Sequence, residues 1–169
     1  MTDLQRQQRN GERLAECHPP FRDAVRRVLR ALEADGYRPR IQCAWRSLEQ
    51  QQLAYAAGRS HLRWGFHNAT TPAGHPDALA VDILDDNAPL APSRRYCLAL
   101  ACVADRFGLQ TGVTWGLVPH LKRATQQAIA ARAVDAEVKV GFDPCHVEVR
   151  GVTVMQAKRG DRPVATMYA

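Results

Sequence analysis

Two short segments carry the residue types that hydrolytic chemistry needs. His75-Pro-Asp-Ala-Leu-Ala-Val-Asp82 and Asp143-Pro-Cys-His146, about sixty residues apart, supply two imidazoles and two carboxylates. Neutral imidazole and ionised carboxylate are zinc ligands available near neutral pH. His75, Asp82 and His146 therefore make a three-ligand set with an open fourth position, where the pKa of a water falls toward about 7. Asp143 stands three residues before His146, with Pro144 stiffening the turn between them. It is placed to accept that water's proton without ligating. Glu148, two residues past His146, shares its strand face and is a candidate outer acceptor for an imidazole N–H. A single His-Asp pair or His-x-Glu is common by chance. The combination is less so, because Asp82 lies in an apolar strand, where an unpaired carboxylate is costly.

The elements that must position these groups are readable from periodicity. Phe21, Val25, Val28, Leu29 and Leu32 form one stripe of a helix over 20–34, with Pro19-Pro20 at its start and Gly36 at its stop. Residues 38–44 are a strand candidate. Ser47-Leu-Glu-Gln50 is a capping box opening a helix to about Ala57. Residues 59–74 have no period and form a loop into the first motif. His61 and His67 in that loop, like His18 and His120, are expected at the surface, the first two with access to the cleft. From Ala78 to Leu84 the chain alternates, with Leu79, Val81 and Ile83 on one face and Ala78, Ala80 and Asp82 on the other. His75 is an odd number of residues from Asp82, so a turn or bulge near Pro76-Asp77 must bring both to one metal. Ser93 to Phe107 predicts a helix with Ser93 as N-cap, and Pro119 to about Arg132 another. Residues 110–118 predict a strand and turn. Residues 138–140, 145–149 and 152–155 are further strand candidates. Hairpin-like spacing near the C-terminus favours antiparallel pairing. The expected architecture is α+β, one domain over 1–169, with helices packed on a small, mainly antiparallel sheet carrying a zinc cleft.

The order and spacing of these motifs resemble the LAS-type zinc peptidases, which include D-Ala-D-Ala carboxypeptidases and dipeptidases and the L-alanyl-D-glutamate endopeptidases of phage endolysins. The family pattern is Ser-x-His-x-x-Gly-x-Ala-x-Asp, then Asp or Glu three residues before a second His. Here the Ser and the Gly are replaced by Ala73 and Ala78. The segment Gln42-Cys-Ala-Trp-Arg46-Ser47 and the following helix, ending in Gly58-Arg59, extend the resemblance to roughly residues 20–149. The resemblance implies zinc as cofactor, His75, Asp82 and His146 as its ligands, Asp143 as catalytic base and Arg46 as a substrate-binding or oxyanion-stabilising group. It implies a peptidoglycan stem peptide as substrate, and the Gly-Arg helix end points to the L-alanyl-D-glutamate endopeptidase branch. The alternatives are a D-alanyl-D-alanine carboxypeptidase or dipeptidase, which needs a pocket for a free carboxylate, and a basic, non-catalytic binding module with a structural zinc.

Composition is compatible with this. Net charge is +6, from 23 Lys+Arg against 17 Asp+Glu. Such a charge suits an anionic envelope, whereas a nucleic-acid partner predicts clustered Arg with interleaved aromatics. The Arg here are spread over helix faces, so no nucleic-acid partner is expected. No run of about 18 apolar residues predicts a membrane span. The first twenty residues lack the apolar core of a secretory signal. The expectation is a monomer made in the cytoplasm without a signal peptide and acting on the cell wall or periplasm after release.

Overall fold

The computed structural model describes residues 1–164 and has an α+β architecture of six helices on a four-stranded antiparallel sheet. The strands are β1 (Pro39–Cys43), β2 (Ala80–Asp85), β3 (Gln110–Thr111) and β4 (His146–Glu148), in the spatial order β1-β2-β4-β3. Helices α1 (Asp3–Ala15), α2 (Pro19–Ala34), α3 (Leu48–Ala56), α4 (Arg94–Arg106), α5 (Pro119–Ala130) and α6 (Val154–Arg159) surround it. None of the described helices is long and apolar enough to cross a membrane.

The alternation in β2 divides the sheet into two chemical faces. Leu79, Val81, Ile83 and, from β1 and β4, Ile41 and Val147 join Phe21, Val25, Val28 and Leu32 of α2 and Tyr96 and Leu100 of α4 in the main core. Tyr96 is buried here because its hydroxyl donates to the carbonyl of Ile83 (3.0 Å). The opposite side of α4 is also buried. Cys97, Leu98 and Ala101 pack with Val113, Ile129, Val138 and Val140. Polar side chains occupy the other face of the sheet. Cys43 pairs with Asp82, and Asp82 with His146, so three chemistry-bearing residues form one row across β1, β2 and β4. Glu148 lies in the next row, between Ala80 and Gln110.

The ladder between β1 and β2 shifts by one residue at Gln42: Ile41 faces Ile83, but Cys43 faces Asp82. Such a bulge re-aims the chain that follows it, here toward Ala44, Trp45 and Arg46. The capping box at Ser47 and Gln50 then starts α3 as the sequence predicts.

Three elements differ from the sequence reading. Helix α1 has no apolar stripe, because its buried residues are Arg6, Asn10 and Leu14. It does not cover the sheet with hydrocarbon. It binds the open edge of β1: Asn10 accepts from the Ile41 N–H (2.8 Å) and donates to the Pro39 carbonyl (3.0 Å), while Arg9 donates to the carbonyls of Ile41 (3.1 Å) and Gln42 (3.0 Å). Residues 138–140 are not a strand. They run irregularly beside α4 and α5, where the Lys139 carbonyl accepts from the Thr125 hydroxyl (2.8 Å). The strand candidate at 152–155 is instead the start of α6, because Thr153 and Gln156 form a reciprocal capping box that satisfies helix-start N–H groups.

Candidate metal centre

His67, not His75, stands beside Asp82 and His146. His67 Nε2 lies 3.3 Å from His146 Nδ1 and 3.5 Å from Asp82 Oδ1, and His146 Nδ1 is 3.1 Å from the same oxygen. Ligand atoms about 2.0–2.1 Å from a tetrahedral zinc are separated by roughly 3.3–3.4 Å, so this triangle has the dimensions of one face of a zinc site.

The outer nitrogens settle where the protons sit. His67 Nδ1 is 2.5 Å from the Ala44 carbonyl, which can only accept. His146 Nε2 is 3.0 Å from Glu148 Oε2. With hydrogens on those nitrogens, His67 Nε2 and His146 Nδ1 are the atoms left to bind either a second proton or a metal beside the Asp82 oxygen. The Asp82 carboxylate draws positive charge to both rings. Burial alone would lower the pKa values of both histidines, yet the Asp82 carboxylate outweighs it and raises His67 to about 10 and His146 to about 9. Burial would raise Asp82, but the two imidazoles hold it far below the usual carboxylate range. Protons on two nitrogens 3.3 Å apart repel, whereas one divalent cation serves all three lone pairs. The donor set therefore fits a divalent metal ion. The same region offers two overlapping groups able to hold a metal, Cys43–His67–Asp82 and Asp82–Asp143–His146.

The backbone explains the exchange of histidines. Residues 66–69 run beside 77–79: Leu79 N–H donates to Phe66 O (3.0 Å) and Asp77 N–H to Ala69 O (3.0 Å). This pairing carries His67 to the mouth of β2. The intervening chain is looped out, closed by the Thr71 N–H to His75 O bond (2.9 Å), and His75 is exposed on it. The turn expected near Pro76-Asp77 is present, but it removes His75 from the cleft. Asp77 is the anchor of that turn, accepting from Arg162 Nε (2.5 Å) and bonded to His18 Nδ1 (3.0 Å). The absence of a period in its loop predicts His67 at the surface with access to the cleft, whereas the structure buries it. The local signal is the aromatic pair Trp64 and Phe66 on either side of Gly65, since both pack against the core and pin the segment.

The remaining predicted residues do meet. Asp143 lines the cleft with Asp82 and His146. Partial desolvation in the cleft, though the side chain stays exposed at the surface, and the neighbouring Asp82 carboxylate raise its pKa, with His146, His67 and Arg46 opposing. Its backbone is held in the left-handed region (φ 54°) by a close approach of two chain segments. Gly141 N–H donates to Val113 O (2.7 Å) and Phe142 N–H to Trp115 O (2.8 Å). A Cβ on Gly112 would lie 2.2 Å from the Asp143 carbonyl oxygen, and one on Gly141 would lie 2.3 Å from that of Trp115. Only glycine permits either contact.

Arg46 Nη2 is 3.8 Å from Asp82 Oδ2 and 3.6 Å from Cys43 Sγ, and Nη1 donates to Gln51 Oε1 (2.9 Å). Gln51 is buried and donates onward to Ser60 Oγ (2.8 Å) and Leu62 O (2.6 Å). Glu148, oriented by Gln110 Nε2 (2.8 Å), completes the chain behind His146. Cys145 turns to the other face and is buried toward Cys97. The cleft has a volume of about 680 Å³ and is walled by Arg46, Arg59 and His61 on one side and Trp115, Gly116 and Phe142 on the other. Trp115 packs on the His146 ring at 5.1 Å. No family model and no curated protein sequence matches the chain.

Proposed function

We propose that the protein is a zinc-dependent peptidoglycan peptidase that cleaves the stem peptide between L-alanine and D-glutamate, as a phage-type endolysin does. The observation that carries this reading is the convergence of His67 Nε2, His146 Nδ1 and Asp82 Oδ1 on one point at the floor of a cleft that Asp143 also lines. A zinc ion held there supplies Lewis acidity, which lowers the pKa of a water and polarises a carbonyl. Asp143 takes the proton of the attacking water and returns it to the leaving amine, a task its place on the cleft wall beside Asp82 and His146 suits. The Arg46 guanidinium, steadied by Gln51, is placed to donate to the oxygen that gains charge at the scissile carbonyl. The stem peptide as substrate rests on the resemblance of the Arg46-Ser47 segment and the motif order. The basic charge supports approach to an anionic wall.

The test is digestion of purified peptidoglycan by the zinc-loaded protein, with and without chelator, and mass spectrometry of the new termini. Zinc-dependent release of D-glutamyl amino groups is expected. Release of D-alanine alone would replace the endopeptidase with a carboxypeptidase. Absence of any new terminus would overturn the peptidase reading.

A further inference from the structure

The cleft contains one arginine that the protein leaves unused. Arg46 already has the scissile carbonyl as its proposed task, and its two terminal nitrogens face Gln51, Cys43 and Asp82. Asp82 and Glu148 are bonded to the histidines. Arg59 lines the same cleft, and among the described residues no side chain or carbonyl pairs with its guanidinium. Many other arginines of the chain are paired: Arg6 with Glu33, Arg26 with Asp23, Arg40 with Asp86, Arg150 with Asp105 and Arg162 with Asp77.

The position of Arg59 is built. Gly58 ends α3 with a positive φ of 68°, and Arg59 N–H closes the helix end on Ala54 O (2.8 Å). The next residue, Ser60, is held by Gln51, the same side chain that holds Arg46. The Arg46 side chain and the chain just after Arg59 thus share one buried amide, that of Gln51, and both arginines line the cleft. At the mouth, His61 contacts Phe142 of the facing wall at 5.2 Å between ring centroids, so the Arg59 wall and the Asp143 loop approach each other there. Asp143 on that loop repels an anion, and Arg59 on the opposite wall attracts one.

We propose that Arg59 is the anchor of a carboxylate subsite, which selects peptides bearing a free carboxylate on the residue next to the scissile bond. This rests on the reading above, in which that residue is D-glutamate. Its γ-carboxyl forms the peptide chain and its α-carboxyl is free. A guanidinium presents two parallel donors to such a group, and a carboxamide in its place turns two donors of its own against them.

The probes are N-acetyl-L-alanyl-γ-D-glutamyl-L-lysine amide, which has one free carboxylate, and the same peptide with that carboxyl converted to carboxamide. Zinc-loaded wild-type protein is expected to prefer the acid by at least about tenfold in kcat/KM, through KM. Arg59→Gln should bring the preference close to one, chiefly by raising KM for the acid, and Arg59→Lys should restore part of it. A preference that survives in Arg59→Gln overturns the inference. Affinities of both peptides for zinc-loaded Asp143→Asn protein, with and without Arg59→Gln, separate the two claims. Arg59-dependent selection of the acid without hydrolysis by wild type would keep the subsite and refute the reaction. Equal affinity for acid and amide, or binding of neither, would refute the subsite.

Discussion

His67 Nδ1 lies 2.5 Å from the carbonyl oxygen of Ala44, the residue that follows the last one in β1. A carbonyl cannot donate, so this contact puts a hydrogen on Nδ1 and leaves Nε2 as the atom that meets Asp82 and His146. His67→Ala should therefore lower zinc affinity by more than about 100-fold, beyond what losing an outer partner costs. His75→Ala, on the exposed turn, should leave it within about twofold. Competition with a chromogenic chelator measures both, and the reverse pattern would restore His75 to the site.

The outer partner of His146 is equally specific. Glu148→Gln puts an amide, able to donate, where only an acceptor holds the required tautomer. Zinc affinity is expected to fall by about 10–100-fold. Gln110→Ala frees Glu148 on its far side and should give a smaller loss of the same sign. Unchanged zinc affinity in both variants would show that the His146 ring is held by other contacts.

Asp143 should be separable from the metal. Asp143→Asn is expected to retain zinc while losing about 10²–10⁴-fold in hydrolysis, the usual span for a positioned proton-transfer group. Gly112→Ala forces its Cβ against the Asp143 carbonyl. It should lower kcat with zinc affinity retained, since it displaces the loop rather than the ligand triangle. Full activity in Asp143→Asn would remove this residue from the reaction.

Asn10 tests the edge clamp. It is nearly inaccessible and satisfies one N–H and one carbonyl of β1. Asn10→Ala leaves the Ile41 N–H without its partner and the Pro39 carbonyl with only a long contact to Arg6 Nη1 (3.5 Å), at about 1–3 kcal/mol for each group that finds no water. A loss of about 2–4 kcal/mol in urea unfolding is expected. A change below about 0.5 kcal/mol would mean that water replaces the amide.

Asp77 gives a pH signature. Burial would raise its pKa, but His18 and Arg162 outweigh burial and hold it below the ordinary value. A depressed folded value stabilises the protein above the unfolded value of about 3.9, and that stabilisation is lost as pH falls through the folded value. Wild type should lose its advantage over Asp77→Asn across that acid window and keep it from about pH 5 upward. Parallel stability curves for the two proteins would exclude the linkage.

Most of the frame was legible because it is written in apolar periods and caps. The α2 stripe, the alternation of β2, Ser93 at the start of α4 and the capping box of α3 all stand where the residues put them. Helix α1 was not legible, since of its inward residues only Leu14 joins the core, while Arg6 and Asn10 bond backbone groups of β1. At the site, Asp82, Asp143 and His146 were readable from the strand period and the short spacing of the second motif. His67 was not. Its distance from Asp82 along the chain, fifteen residues against seven for His75, carries no information once backbone pairing of 66–69 with 77–79 sets the geometry.

That pairing also uncouples chain length from chemistry. Residues 70–76 leave and rejoin the body at adjacent points, tied by the Thr70–Pro76 bridge, with Gly74 in the left-handed region at the tip. A peptide tag or a fluorophore-bearing insert spliced between Pro72 and Gly74 would thus lengthen the polypeptide without moving His67 or Asp82, which makes this turn a natural port for labelling the folded protein.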